Sequence, residues 1–369
     1  MINIAKMIKW RMKILVFNWR DLKHPEAGGA ELVIFKTMEE FRKKGHEITF
    51  FVGGFKDAKK LDDYNGMKII RSGNRFSTYI NAFFYYLFNS KKYDLIYDCV
   101  NGVPYWTPLY ARKKKVVLFH HVVGKIFFKE MLFPVALLGI TAEKIFMPLL
   151  YRKERFVVVS EVTKKELSNL GIIKDNITVI YNGLDHKIYK PGKKNKKPRI
   201  VFVGRLKKYK RILLLADIFK EIKKRVDAEM FVIGRGEEFE KLKRKVDNEK
   251  INDFNILGFA GDTEKLNIMK SSWLAVSTSM KEGWGLTILE ANACKVPAVC
   301  FDVPGLNEAV LNGKTGFLVR DKDESVEKCI KILEDKKLRE KLSDNALEWS
   351  KKFSWENTAR KSLELINRL

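Results

Sequence analysis

Short runs of apolar, β-branched and aromatic residues recur along the chain, separated by stretches of helical length. KILVF, starting at Lys13, is the first, and the spacing after it predicts a helix over about 30–44. HEITFFVG, MKIIRSG, YDLIYDC, KKVVLFHH, RFVVVS and ITVIYNG follow in the first half. Apolar runs alternating with helices mark a parallel sheet covered on both faces. The alternation restarts with RIVFVGR, a helix over 211–225, EMFVIGRG, a helix over 237–248, FNILGFA, WLAVSTS and a helix over 286–294. PAVCFD, GFLV and two closing helices complete it. The pattern predicts an α/β architecture of two doubly wound, Rossmann-like domains facing across a cleft. Ligands of such sheets sit beyond the carboxyl ends of the strands, so function is sought in the strand-to-helix loops.

Composition narrows this picture. A length of 369 residues suits about two domains. The stretch 187–197, with its run PGKKNKKPR nearby, reads as a linker between them, or else as a lysine-rich surface loop. The surplus of 71 basic over 45 acidic residues gives a net charge of +26, which implies an anionic partner. Cys99, Cys294, Cys300 and Cys329 lack paired spacing, so neither a disulfide scaffold nor a cysteine zinc site is expected, and a reducing, cytoplasmic compartment fits. No early apolar run is long enough for a signal segment. The most apolar stretch, 126–151, carries Lys129, Glu130, Glu143 and Lys144, so the reading is a protein that at most lies on a membrane.

Four loops carry unusual chemistry. HPEAGGAE places Gly28 and Gly29 just before the first helix, where backbone N–H groups can approach a phosphate, although a tight turn also explains them. It is not a GxGxxG fingerprint; nor is VIGRGEEF, and no P-loop occurs. FVGRLKKYKR offers Arg205 and Lys210, a guanidinium fork and a point charge suited to a pyrophosphate, or a solvated basic loop. LFHH ends an apolar strand in His120 and His121, as a catalytic group or a structural cap. STSMKEGWGLTILEA is the most informative: Glu282 precedes Gly283, Trp284, Gly285 and Leu286, and Glu290 follows eight residues on. At about 1.5 Å per helical residue that interval spans roughly 12 Å, near the distance from a hexose to the ribose of a nucleotide sugar. It is wider than the roughly 5–9.5 Å of a glycosidase carboxylate pair. Asp321 and Asp323 form a DxD triplet that reads as a helix start rather than a metal site.

Arg205 with Lys210, the Glu-x7-Glu element at Glu282 and Glu290, the GG loop and the FH strand end occur in the order found in glycosyltransferase family 4, which the chain resembles over nearly its whole length. The resemblance implies a GT-B fold and retaining, metal-independent transfer of a hexose-type sugar from a nucleotide diphosphate sugar, with no cofactor. It implies an acceptor domain over 1–190, a donor domain over 191–352 and a closing helix over 353–369 packed back on the first. Gly28 and Gly29 would then approach the donor phosphate, and His120 (or His121) the transferred sugar. Arg205 and Lys210 would neutralise the leaving pyrophosphate, Glu282 would hold sugar hydroxyls and Glu290 the ribose. The N–H groups of Trp284, Gly285 and Leu286 would hold the diphosphate, and Gly258 and Phe259, in LGFAG, would face the base. One departure is Arg211, where the family commonly has glycine after its lysine.

The segment KIFFKEMLFPVALLGITAEKIFMPLLYRKER, with basic ARKKK upstream, suits an interfacial element on the inner face of the cell membrane, and so a membrane-associated or lipid-linked glycan acceptor. Core helices are the other explanation. A basic adaptor without catalysis, binding membrane or nucleic acid, has no need of Arg205, Lys210, Glu282 and Glu290 together. Nucleic acid is not expected as a partner, because the basic runs lack interleaved aromatic residues.

Overall fold

The computed structural model describes residues 11–124, 128 and 133–369. The chain divides into two compact units, one running to Tyr181 and taking back Trp355–Leu369, the other Asn182–Ser354.

In the first unit β1 (Lys13–Phe17), α1 (Gly29–Lys43), β2 (Glu47–Val52), β3 (Leu61–Tyr64), β4 (Met67–Arg71) and α2 (Thr78–Asn89) come first. They are followed by β5 (Leu95–Val100), β6 (Lys114–Phe119), α3 (Phe133–Tyr151), β7 (Arg155–Val158), α4 (Glu161–Asn169) and β8 (Ile177–Val179). The sheet order is β3-β4-β2-β1-β5-β6-β7-β8. All pairings described are parallel except β3 with β4, an antiparallel edge hairpin turned at Asn65 and Gly66, both with left-handed backbone. That strand, LDDY, is a correction to the all-parallel expectation; its polar, half-exposed pattern hides it among the loops. β1 lies in the middle of the sheet and its side chains are buried beyond Lys13. Ile14 and Val16 pack with Ile34 and Phe35 of α1, and Leu15 and Phe17 pack on the opposite face with Ala82 and Tyr86 of α2.

In the second unit β9 (Arg199–Val203), α5 (Ile212–Lys223), β10 (Glu229–Ile233), α6 (Phe239–Asn248), β11 (Phe254–Gly258), α7 (Asp262–Ser271) and β12 (Leu274–Ser277) lead. Then come α8 (Leu286–Ala293), β13 (Ala298–Phe301), α9 (Leu306–Ala309), β14 (Gly316–Val319), α10 (Lys322–Glu334) and α11 (Lys336–Ser350). The six strands are ordered β11-β10-β9-β12-β13-β14, all parallel. The last helix, α12 (Trp355–Ile366), belongs to the first unit: Ala359, Leu363 and Ile366 join the core beside α1.

The stretch expected as a linker, 187–197, is part of the second unit. Asn195 donates its N–H to Ser271 (2.9 Å) and accepts from the Trp273 indole (2.8 Å). The Lys194 ammonium caps the carbonyls of Lys270 (3.2 Å) and Cys294 (3.1 Å). Lysines that read as solvated therefore tie the segment down. Asp321 accepts the Glu324 N–H (2.9 Å) and caps α10. All four cysteines are free and buried.

Candidate functional site

In the second unit the chain winds outward from β9 through β10 to β11, then returns to the other side of β9 as β12. The crossovers leave β9 and β12 in opposite directions, so a crevice opens between their carboxyl ends. Arg205 and Lys210 follow β9, and Glu282 follows β12.

These two loops are joined directly. The Lys210 ammonium pairs with Glu282 Oε1, and the Ser279 hydroxyl donates to the same oxygen (2.6 Å). The Thr278 hydroxyl donates to the Lys210 carbonyl (2.7 Å), and the Met280 N–H to the Tyr209 carbonyl (2.8 Å). Arg211 sits at φ 51°, the left-handed region that explains why glycine suits this position. Its guanidinium closes the seam by donating from Nε to the Thr278 carbonyl (2.6 Å) and stacking over Phe301 at 4.2 Å. Arg205 is exposed at the mouth of the same loop.

Two close backbone approaches hold the crevice floor. A Cβ on Gly234 would lie 1.9 Å from the Gly204 carbonyl oxygen, so the GRG of VIGRGEEF serves to seat β10 against the Arg205 loop. A Cβ on Gly305 would lie 2.2 Å from the Glu282 carbonyl oxygen, and the Glu282 N–H donates to Pro304 (2.9 Å). Gly283 continues the loop; Trp284 is buried edge-on against Phe353 at 5.4 Å, and Gly285, at φ 71°, turns the chain into α8 at Leu286.

Glu282 therefore precedes α8, and only the last residues of the Glu-x7-Glu interval are helical, so the helical-rise figure does not hold for the whole interval. Glu290 faces another environment. It is buried, with Tyr189, Lys265 and Asp262 as its polar neighbours. Burial pushes its carboxyl pKa up against the pull of Lys265; burial and then Glu290 push the Tyr189 phenol up. The Lys265 ammonium reaches the Tyr189 hydroxyl (3.3 Å). Tyr189, from the supposed linker, and Lys265, Ser279 and Gly305 were not singled out by sequence; the Pro304-Gly305 turn after a strand was the one available signal. Gly258, at φ 66°, ends β11, and Phe259 beyond it is 74% exposed with Arg235 5.8 Å from its ring.

The other expected residues belong to the first unit. Gly28 is extended and Gly29 is not left-handed, so a tight turn does not account for the pair. The Gly28 N–H donates to Glu31 (2.7 Å), itself buried and held by Arg20 (3.2 Å). A Cβ on Gly29 would meet nothing within 4 Å, leaving open space before α1. His120, one residue beyond β6, is buried; burial, with His121 beside it, lowers its pKa to about 3, so the ring is neutral. Among the described residues its Nε2 has no hydrogen-bond partner, an orphaned buried group that costs free energy unless something bonds it. His121 is half-buried.

The family model for Glycosyltransferase Family 4 matches residues 27–188, and that for Glycosyl transferases group 1 matches residues 185–349. An uncharacterized glycosyltransferase of Methanocaldococcus jannaschii is 25% identical, over 96% of this chain and 90% of its own length. N-acetyl-alpha-D-glucosaminyl L-malate synthase of Bacillus anthracis is 28% identical over 48% of this chain and 50% of its own. Among solved structures, sucrose-phosphate synthase from Thermosynechococcus elongatus superposes with a TM-score of 0.81 at 18% identity, over 97% of this chain and 99% of that one. HepE of Anabaena, in complex with UDP and glucose, gives 0.78 at 19% identity, over 97% of this chain and 100% of its own. The fold is thus that of the GT-B enzymes. With the two models matched in succession along the two α/β units, the chain belongs to the family 4 glycosyltransferases.

Proposed function

We propose that the chain transfers a hexose-type sugar from a nucleotide diphosphate sugar, with retention and without a metal ion, to a membrane-associated or lipid-linked glycan at the inner face of the cell membrane. The observation that carries the donor reading is the Lys210–Glu282–Ser279 cluster in the crevice between β9 and β12, with Arg205 at its mouth and the start of α8 beside it. That HepE was solved with UDP-glucose supports the same donor chemistry.

Leaving-group departure builds negative charge on a diphosphate. Arg205, Lys210 and the N–H groups of Trp284, Gly285 and Leu286 are preorganised donors for that charge, which is where electrostatic catalysis is strongest. Positive side chains thus stand where a metal would otherwise act. Glu282 accepts from vicinal sugar hydroxyls; Lys210 neutralises it until the donor binds. Glu290 accepts from the ribose hydroxyls, and Phe259 with Gly258 borders the base. In the first unit, the neutral His120 Nε2 has a hydrogen bond to make with the sugar, as donor or acceptor according to its tautomer, and the space before Gly29 admits a phosphate oxygen. Nucleic acid has no part in this reading.

Thermal shift against a panel of nucleotide sugars tests it, since a ligand bound to the native state raises the transition by mass action. The expected result is stabilisation by one base and sugar pair, followed by transfer with the anomeric configuration kept by NMR. No shift from any nucleotide sugar or nucleoside diphosphate would overturn the donor assignment.

A further inference from the structure

On one face of the first unit's sheet the covering helices turn apolar side chains outward to solvent. On β5 and β6, Asp98 and Val100 are register partners of Val117 and Phe119 and so point to the same side as Ile96. α2 packs on that side through Ala82 and Tyr86, and α3 packs there through Met147 and Tyr151. The segment between β5 and β6 bridges the two helices. The Tyr110 ring meets Phe83 at 5.1 Å and Tyr86 at 5.7 Å. On the other side, the Tyr151 hydroxyl donates to Asp98 (2.6 Å) and accepts the Thr107 N–H (3.1 Å). α2 and α3 therefore lie side by side.

Each helix buries one narrow stripe. On α2 it is Thr78, Ala82 and Tyr86; on α3 it is Ala136, Gly139, Glu143, Met147 and Tyr151. Outward from α2 stand Ile80, Phe84, Leu87 and Phe88, the last 83% exposed, and Phe76 is exposed in the turn before it. Outward from α3 stand Leu137, Leu138, Ile145, Phe146 and Leu149, the last 71% exposed, and Leu109 is exposed between the helices. Contiguous apolar surface of this extent marks an interaction site. Its surroundings are basic: Arg75, Lys91, Lys92, Arg112, Arg152 and Lys153 are exposed, and the sequence has no acidic residue over 75–93 or 99–129.

α3 is long and apolar enough, by length and composition alone, to cross a membrane, although Glu143 and Lys144 lie within it. Pro134 sits in its first turn, and a π-helical turn over Ala142–Phe146 precedes Pro148. Its buried stripe argues for lying on the surface rather than spanning. The Glu143 carboxylate accepts the N–H groups of Val123 (2.6 Å) and Gly124 (2.7 Å), and Tyr151 is bonded to Asp98, so a spanning pose would strand these groups in lipid. Apart from Phe128, which stacks on Phe133 at 5.7 Å, residues 125–132 lie outside those described.

We propose that α2 and α3 form one docking face whose occupant is a bilayer with anionic headgroups, the apolar stripes seated in the acyl boundary and the basic rim on the phosphates. This deepens the membrane-surface part of the proposed function, and it adds α2, which the sequence did not single out. It is independent of the donor assignment.

Co-sedimentation with phosphatidylglycerol–phosphatidylcholine vesicles, compared with phosphatidylcholine alone, tests it on wild type, on the triple variant Ile80→Ser, Phe84→Ser, Phe88→Ser, on Leu138→Ser with Leu149→Ser, and on Lys91→Glu with Lys92→Glu. The expected result is salt-sensitive binding of wild type to the anionic vesicles, and a loss of at least about tenfold in partition for each apolar variant with its thermal transition kept. The lysine variant should lose the preference for anionic lipid. Wild-type partition by the α2 triple variant would overturn the two-helix face. So would a wild-type dimer, seen by sedimentation velocity, that the triple variant dissociates, since a second copy would then be the occupant. The nucleotide-sugar panel run on the same proteins keeps the two readings apart: a wild type that binds vesicles but no nucleotide refutes only the donor assignment.

Discussion

Replacing Glu290 by glutamine separates a functional carboxylate from a structural one, because the two roles change stability in opposite directions. The wild-type carboxyl is buried, and burial raises its pKa. A carboxyl whose native pKa lies above its unfolded value binds more protons in the native state, so its contribution to stability falls as pH rises from the unfolded value through the native one. Above that window the native state carries the full cost of a buried charge, offset in part by Lys265. Glutamine keeps the volume and an acceptor oxygen beside Tyr189, but it carries no charge. Glu290→Gln is therefore expected to melt at or above the wild-type temperature at pH 8, with the advantage shrinking toward pH 4.

Binding should change the other way. A ribose diol donating to a carboxylate makes charge-assisted hydrogen bonds, each worth about 1.5–3 kcal/mol net, and an amide oxygen accepts them only as a neutral group. Loss of one such increment corresponds to roughly 10- to 150-fold in Kd. Calorimetry with the nucleoside diphosphate that the thermal-shift panel selects, alongside thermal melts from pH 4 to 8 (~4 to ~8 bracketing the carboxyl range), reads both quantities on the same protein. If Glu290→Gln binds that nucleoside diphosphate as tightly as wild type and melts lower at pH 8, the residue serves the packing around Tyr189 and the ribose assignment is wrong.

Glu282→Ala should cut transfer at least about tenfold while leaving affinity for the nucleoside diphosphate equal or higher, since Lys210 loses the carboxylate that neutralises it; weaker nucleotide binding by calorimetry would contradict this. Arg211→Gly removes a left-handed non-glycine residue, a relief of about 1–3 kcal/mol, and also the bond to Thr278 and the stack on Phe301, of similar size. The expected outcome is a nearly unchanged melting temperature with reduced transfer, and full activity in the variant would show that the seam between the two loops does not matter. Transfer should survive EDTA; loss of activity that Mg²⁺ or Mn²⁺ restores would show that Arg205 and Lys210 do not carry the leaving-group charge alone.

The strands were legible because central parallel strands are buried on both faces, so Ile14–Phe17, Val116–Phe119 and Ala298–Phe301 read as uninterrupted apolar runs. β3 was not, because an edge strand with one wet face carries Asp62 and Asp63, although Asn65-Gly66 is a strong hairpin signal. Charge misled at 187–197, where a lysine reads as solvated but Lys194 buries its stem and caps two carbonyls. The Glu-x7-Glu element was visible as spacing. Its partners Ser279, Tyr189 and Lys265 were not, since hydrogen bonding across loops leaves no periodic trace. The exposed faces of α2 and α3 were hidden for a different reason: a helix that is apolar all round gives no sign of which side the protein covers.

What places the candidate chemistry is topology more than any single motif. Lys210 and Glu282 lie far apart in sequence, yet β9 and β12 are neighbours because the chain reverses its direction of winding between them. The first sheet makes the same reversal between β1 and β5, and there Asn101, after β5, donates from its amide to Asn18, after β1 (3.1 Å). Gly29 follows β1 on that same carboxyl edge, and His120 follows β6 one strand further on. Each sheet thus opens one crevice where crossovers part, and the residues sequence reasoning singled out fall at those edges. The pairs Arg205 with Lys210 and Glu282 with Glu290 each begin in a loop that the reversal brings to the crevice, which is what makes them candidates. Moved to loops at the amino ends of the same strands, the same residues would be a solvated basic run and two acids.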